Sequence, residues 1–466
     1  MTDSRSTTMR HAAAARPAKG PLVAVAVAAA ALAAATAFVP AIRPTAPVAD
    51  ASAVRVTRAC PTLDAGVQLG LTALGDGLAQ APLATPTTLT PVTSPQVIAL
   101  AKDPGRISAP VGSPFWGVVS ASAATDADQG LSLAACRSPR AQQWFAGVRS
   151  NANARSEVVL VNLDTTEASV NINVYGPDGA LAAPGARGVE VAGRSQRILP
   201  MGPLVDAATP VTLEVATSTG RVAAFVRQRL FNGTAPLGAD WISATAEPDE
   251  LAVIGSVPAG DGARTLVIGN PGDRTAQVKV EVLGPDGAYA PVGIETVDVP
   301  ADSTRTFPLD QVLGGKSAAL RLTGSRPIVA AVEAATVGDW ATLTAHAGVG
   351  AKAVVNVPLP GGIAPVVTVA NPGAEAAHVE VKITDPSGKV LLEKSQDVLA
   401  SAALTFEPGP TAGLLLSVVS SSPSMRVSLA ATGAVGTVTG IAMVGVADAS
   451  SPVPAVVVTR DPRLGG

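Results

Sequence analysis

The sequence is poor in the side chains that carry most chemistry. Its 466 residues include three histidines and two cysteines, and aromatics make up 3%. Net charge is −3, and neither sign runs in blocks. Without a basic stripe, a nucleic-acid partner is not expected. His-Glu-x-x-His, Gly-x-x-x-x-Gly-Lys and Gly-x-Ser-x-Gly are all missing, so the usual local signatures of zinc proteases, phosphate loops and serine hydrolases are excluded. His378 falls on the polar face of an alternating run, and His346 lies in Thr344-Ala345-His346-Ala347-Gly348 near a repeat boundary. Asp126-Ala127-Asp128-Gln129-Gly130 lacks the third acid and closing Glu of a calcium loop and reads as a turn. We expect no catalytic residue, no metal and no cofactor. Carboxylates that meet only in space are the one enzymatic route left open.

What is present begins at the N-terminus. Arg5, Arg10, Arg16 and Lys19 precede an uncharged stretch from Leu22 to Val39, with Pro21 where a helix start tolerates it. That length matches a bilayer core, and the basic flank belongs on the cytoplasmic side. A basic leader (1–20) and a single transmembrane helix (21–41) are expected, with the bulk of the chain outside. A cleaved signal peptide, with Ala51-Ser52-Ala53 as its site, is the alternative. It gives a secreted protein instead of a membrane-anchored one.

Cys60 and Cys136 both fall on the exported side, where disulfides persist. We expect them to be bonded, with two buried thiols as the alternative. Residues 42–140 read as a linker followed by an irregular β segment tied down by that bond, because Pro and Thr crowd positions 82–95.

From residue 141 the chain repeats. Val159-Leu160-Val161-Asn162, Val267-Ile268-Gly269-Asn270 and Thr368-Val369-Ala370-Asn371 align. Fourteen residues after each Asn begins a turn: Gly176-Pro177-Asp178-Gly179, Gly284-Pro285-Asp286-Gly287, Asp385-Pro386-Ser387-Gly388. The residues between alternate apolar and polar, the mark of a strand with one buried face. About seven short strands per hundred residues imply three tandem immunoglobulin-like β-sandwiches at 141–250, 251–351 and 352–460. A propeller calls for shorter repeats of about four strands.

The Asn-Pro-Gly at 270–272 and 371–373, the Gly-Pro-Asp-Gly turns and the run Gln143-Trp144-Phe145-Ala146-Gly147 resemble a family of actinobacterial exported proteins of uncharacterised function. The resemblance covers about residues 20–460. The first repeat departs from it, with Asn162-Leu163-Asp164 in place of Asn-Pro-Gly. It implies a membrane-anchored envelope protein and supplies no activity.

Two functions are expected from this reading. One is a non-enzymatic extracytoplasmic scaffold that docks envelope proteins; the other is a module that binds cell-wall glycan. The candidate residues are Asp240-Trp241 and Asp339-Trp340, each following a Val-Ala-Ala strand, with Val438 at the matching distance in the third repeat. As equivalent loops they serve either ligand binding or joints in which each Trp packs on the following repeat.

Overall fold

A computed structural model gives the fold and describes residues 55–62, 66–84, 89–100 and 105–447. These belong to one compact unit, residues 53–466. The leader and the expected transmembrane helix at 21–41 lie outside the described residues. Among those described, no helix is long and apolar enough to cross a membrane.

The chain is almost entirely β. Each repeat forms two facing sheets, and the clearest is the last. Its strands are Lys352–Val357, Ala364–Asn371, Ala377–Thr384, Val390–Val398, Ala402–Phe406, Leu414–Ser420, Arg426–Val435 and Val438–Val446. Numbered in chain order, they pair as 1-6-3-4 and 5-2-7-8. In an immunoglobulin domain the last two strands form a hairpin within one sheet. The seventh and eighth strands form such a hairpin here, but the seventh pairs with the second, while the sixth lies in the opposite sheet. In the repeat at 251–351 the sixth and seventh strands are one continuous 18-residue strand, Ala318–Ala335, that passes from sheet to sheet.

The described residues between 55 and 136 are not irregular. Their eight strands, Arg55–Cys60 through Gly130–Ala135, pair in the same two orders. The array therefore contains four sandwiches, not three. The first is built from strands as short as Thr90–Pro91, which hid it in the sequence. The Cys60–Cys136 disulfide closes this sandwich on itself, joining the end of its first strand to the residue after its last.

The repeat signature has a common cause. The Oδ1 atoms of Asn162, Asn270 and Asn371 each accept the backbone N–H two residues on, at 3.0 Å. Each Nδ2 donates to the carbonyl four residues on and to a valine carbonyl across the turn, Val191, Val299 or Val398. All three are buried, where an unpaired amide is expensive, so one residue satisfies a whole turn. The Pro-Asp-Gly turns follow, with Gly179 at φ 127° and Gly287 at φ 128°, conformations that favour glycine.

The four sandwiches close on one another. One sheet of each packs on a sheet of the sandwich before it. Val161, Phe225 and Trp241 enter the first sandwich's core, and Val267 and Val329 pack on Trp144 and Ala146. Ala370 and Ala403 meet Leu283 and Ala319. The first sandwich completes the cycle on the fourth. Trp116 and Val118 join Ala353, Val355 and Val357, and Asn356 Nδ2 donates to the Gln96 carbonyl at 2.9 Å. Eight sheets thus follow one another face to face around an axis, the radial plan of a propeller, although the strands of each sheet are not consecutive. The length of the repeat had argued against that plan; one repeat supplies two sheets.

Candidate functional site

The last strand of each sandwich lies at the axis. Gly130–Ala135 packs on Ala235–Ile242 and on Val438–Val446, and Trp340–Thr344 packs on the same two strands from the other side. Their N-terminal ends are sealed. Gln129 Nε2 donates to the carbonyls of Pro236 (2.9 Å) and Gly338 (3.1 Å), and Thr336 Oγ1 donates to the Thr439 carbonyl. Asp128 accepts from Arg229 Nε at 2.6 Å, so the acidic turn is used for ion pairing, and no metal-ligand cluster occurs among the described residues.

Asp339 occupies the axis next to this seal. Pairing registers counted from the three asparagines make Gly238, Asp339 and Gly440 equivalent. A Cβ at Gly130 or Gly238 would overlap the Asp339 carboxyl. Small residues in the other sandwiches leave room for one side chain. Its Oδ2 accepts from the N–H of Leu131 (2.9 Å) and of Ile441 (2.8 Å), joining the first, third and fourth sandwiches. Burial pushes the carboxyl up to about 7, against the pull of those N–H groups and of Arg227. Asp240 lies in the adjacent layer, and its Oδ2 accepts from Thr342 N at 2.9 Å. Burial raises its pKa well above the carboxylate range, and Asp339 adds to the shift.

Asp240, Trp241 and Trp340 are therefore strand residues, not loops, and Asp339 immediately precedes its strand. The two pairs are not in equivalent positions: Asp240 aligns with Ala341, and Asp339 with Gly238. The displacement is two residues, one pleat, so the faces agree although the positions do not. Trp241 packs in the first sandwich's core and meets Phe225 edge to face, with centroids 6.2 Å apart. Trp340 packs in the second sandwich's core and donates to the Gly238 carbonyl at 3.2 Å. Each contacts the preceding sandwich, not the following one. Both are 3% exposed. Val438, at the position taken to match, is half-buried and packs at the fourth sandwich's core.

At the C-terminal ends of the axial strands lies a cavity of about 410 Å³ lined from all four sandwiches. Trp116 and Trp144 form part of its wall. Arg58, Arg137 and Arg140 converge on it from the first sandwich and its connection to the second. Arg137 Nη1 donates to the Ala244 carbonyl at 3.1 Å, Arg140 pairs with Glu247 at 2.9 Å, and the Arg58 guanidinium lies 4.7 Å from the Phe115 ring centre. Burial, together with the charges of Arg140 and Arg58, lowers the Arg137 pKa to about 10. His346 also lines the cavity. Burial, and then Arg426, hold it down to about 4, so it is neutral. The sequence did not point to this site, because its residues come from stretches up to 389 positions apart (Arg58 to Ala447) and share no motif.

Two serine–histidine contacts exist. His346 Nε2 is 2.8 Å from Ser428 Oγ, but Ser428 is fully buried and a backbone carbonyl takes the place of an orienting acid. His378 lies 2.7 Å from Asp397 and 3.0 Å from Ser395. His378 and Asp397 face each other on an open strand pair, with side chains 48% and 67% exposed.

Fold and cavity together define a closed all-β array with one axial concavity. Residues 106–409 match the family of unknown function DUF5719, and the chain belongs to that family. The match begins within the first sandwich and ends within the fourth. No curated protein matches the sequence. Among solved structures, a glycosyl hydrolase family 2 member from Bacteroides cellulosilyticus DSM 14838 is similar at 9% identity and a TM-score of 0.11, over 49% of this chain and 29% of that one. An alpha-L-rhamnosidase from Streptomyces avermitilis is similar at 12% identity and a TM-score of 0.11, over 84% of this chain and 55% of that one. The chain thus spans about a third to about half of those proteins' lengths, and likeness at this level carries no argument about activity.

Proposed function

We propose that this is a non-enzymatic extracytoplasmic binding protein of the bacterial cell envelope, held by its N-terminal basic and apolar segments, with the axial cavity as its ligand site. The observation that carries the reading is the cavity. It is the place where all four sandwiches contribute side chains, and its volume lies in the range of small-ligand sites. The disulfide supports an oxidising compartment. A scaffold that docks envelope proteins fits this reading if a partner inserts a side chain or chain end into the cavity. Binding of wall glycan through Asp240, Trp241, Asp339 and Trp340 loses its motive, since all four are buried. A glycan would have to enter the axial cavity instead.

Ser243 lines the cavity immediately after an axial strand. Ser243→Trp should fill it. The full chain is immobilised and challenged with a purified wall fraction and with a membrane extract. Retention of a component by the native chain, and its loss in Ser243→Trp at an unchanged melting temperature, supports the reading. Equal retention by both proteins defeats it.

A further inference from the structure

We infer that Ser395 is a nucleophile that takes an acyl group from an activated ester, with His378 as its base and Asp397 positioning that base. The inference goes beyond the binding reading and does not involve the axial cavity.

Strand pairing brings the three side chains together. In the last sandwich the third and fourth strands, Ala377–Thr384 and Val390–Val398, run antiparallel with His378 opposite Asp397 and Glu380 opposite Ser395. The His378 carbonyl accepts the Ser421 N–H at 3.0 Å, so the backbone polar groups of His378 and Glu380 face away from the fourth strand. Their pairs with that strand are then the non-hydrogen-bonded kind, in which side chains stand closer. One exposed face collects His378, Glu380, Ser395 and Asp397.

Hydrogen bonding orders the groups. His378 Nδ1 donates to Asp397 Oδ1 at 2.7 Å. A carboxylate only accepts, so Nδ1 carries the proton and Nε2 of the neutral ring keeps its lone pair. Ser395 Oγ donates to that Nε2 at 3.0 Å. Acid, imidazole and hydroxyl thus follow in the order that activates a serine. Glu380 adds a second negative charge on this face, which favours the imidazolium formed during attack, while Lys382 is paired with Glu393 at 3.1 Å.

The sheet edge supplies a donor for the oxyanion. The fourth strand is the last of its sheet, and no strand pairs with its outer side among the described residues. Gln396 bonds inward to Val379, so the N–H groups of Ser395 and Asp397 point to that open edge. The N–H of the attacking residue can therefore donate to the developing oxyanion. In the step itself, Ser395 Oγ attacks the acyl carbon and its proton passes to His378 Nε2. The bond from that carbon to the leaving group breaks, and Nε2 returns the proton to the departing alcohol or thiol. Ser395 is left as an ester and His378 as neutral imidazole.

Reaction of the full chain with p-nitrophenyl acetate tests this, with the acetyl group located by mass spectrometry after acid quenching. Ser387 is the internal control: it is exposed, and its hydroxyl donates directly to Asp385 Oδ1 at 2.6 Å. Acetyl should appear on Ser395 about a hundredfold faster than on Ser387. His378→Gln should slow labelling of Ser395 by about a hundredfold. Asp397→Ala should slow it by about tenfold, and Asp397→Glu should restore part of that loss. These side chains are exposed, so melting temperatures should stay unchanged in all three variants. No acetyl on Ser395, equal labelling of Ser395 and Ser387, or labelling of Ser395 unchanged in His378→Gln would overturn the inference. Ser243→Trp tests the cavity separately, so the two readings fail independently.

Discussion

The indole N–H of Trp116 donates to the carbonyl of Ala447, 2.9 Å away in space and 331 residues further along the chain. This bond, with the Asn356–Gln96 contact, joins the first sandwich to the fourth and closes the array. Breaking it should open the cycle at that seam. Trp116→Phe keeps an apolar ring and loses the bond, at about 1 kcal/mol. Trp116→Ala should cost about 3 kcal/mol or more. Amide exchange should then rise first in Gln68–Ala73 and Lys352–Val357, which face each other across the seam. Uniform loss of protection over all four sandwiches would argue that closure is not a separate step.

Asp339 should make the array less stable as pH rises. Its carboxyl titrates near 3.8 when exposed and is raised to about 7 by burial in the fold. The folded state therefore binds the extra proton. The associated stability is fully present below about pH 4 and is lost as pH rises through about 7. Asp339→Asn should flatten that limb of the melting profile. Parallel profiles for both proteins between pH 4 and 8 would show that the axial carboxyl is not protonated there.

His346 works in the opposite direction. Its pKa falls from 6.5 to about 4 on burial, so the unfolded chain binds the proton first. The stability it contributes is present above about pH 6.5 and is lost as pH falls through about 4. His346→Gln should lower the melting temperature at pH 7, because the Ser428 contact weakens, yet reduce the loss seen on acidification. A steeper acid limb in the variant would contradict the assignment.

Trp241 and Trp340 should behave as joints. Each buries its ring in the core of the preceding sandwich. Alanine at either should cost about 3 kcal/mol in thermal or urea unfolding. The midpoint for Trp241→Ala should fall mainly in the transition that reports the first sandwich. Unchanged midpoints for both variants would remove the packing role.

Removing the disulfide should also act locally. Cys60 and Cys136 are 76 residues apart, and the chain-entropy account allows about 4 kcal/mol for a loop of that size. Cys60→Ser with Cys136→Ser should destabilise the first sandwich and, through the seam, expose Val355 and its neighbours in the fourth. Melting with and without reductant should differ for the native chain and coincide for the double variant.

The sequence was most legible where local physics dominates. Asn162, Asn270 and Asn371 sit at fixed distances from their turns because each side chain must satisfy the same buried backbone groups. Their spacing therefore located three sandwiches. The first sandwich lacks such an asparagine, and three of its strands are two to four residues long, too short to show a period. Strand exchange between sheets left no trace, since Ala318–Ala335 reads the same whether it bends within one sheet or crosses to the next. The Asp-Trp pairs drew attention as a repeated dipeptide, but register, which the sequence does not display, places them one pleat apart. The cavity was the least legible feature. Arg58 and Arg137 become neighbours when the first sandwich closes beside its disulfide, and Val355 and Val444 join that lining only when the fourth sandwich meets the first.

The account stands most directly on where a ligand sits. A crystal structure of the full chain grown with the component it retains from the wall or membrane fraction would locate it. The account predicts that component in the axial cavity at the C-terminal ends of the axial strands, against Trp116 and Trp144. A ligand bound on the outer face of a sandwich, with the axial cavity unchanged, would contradict it.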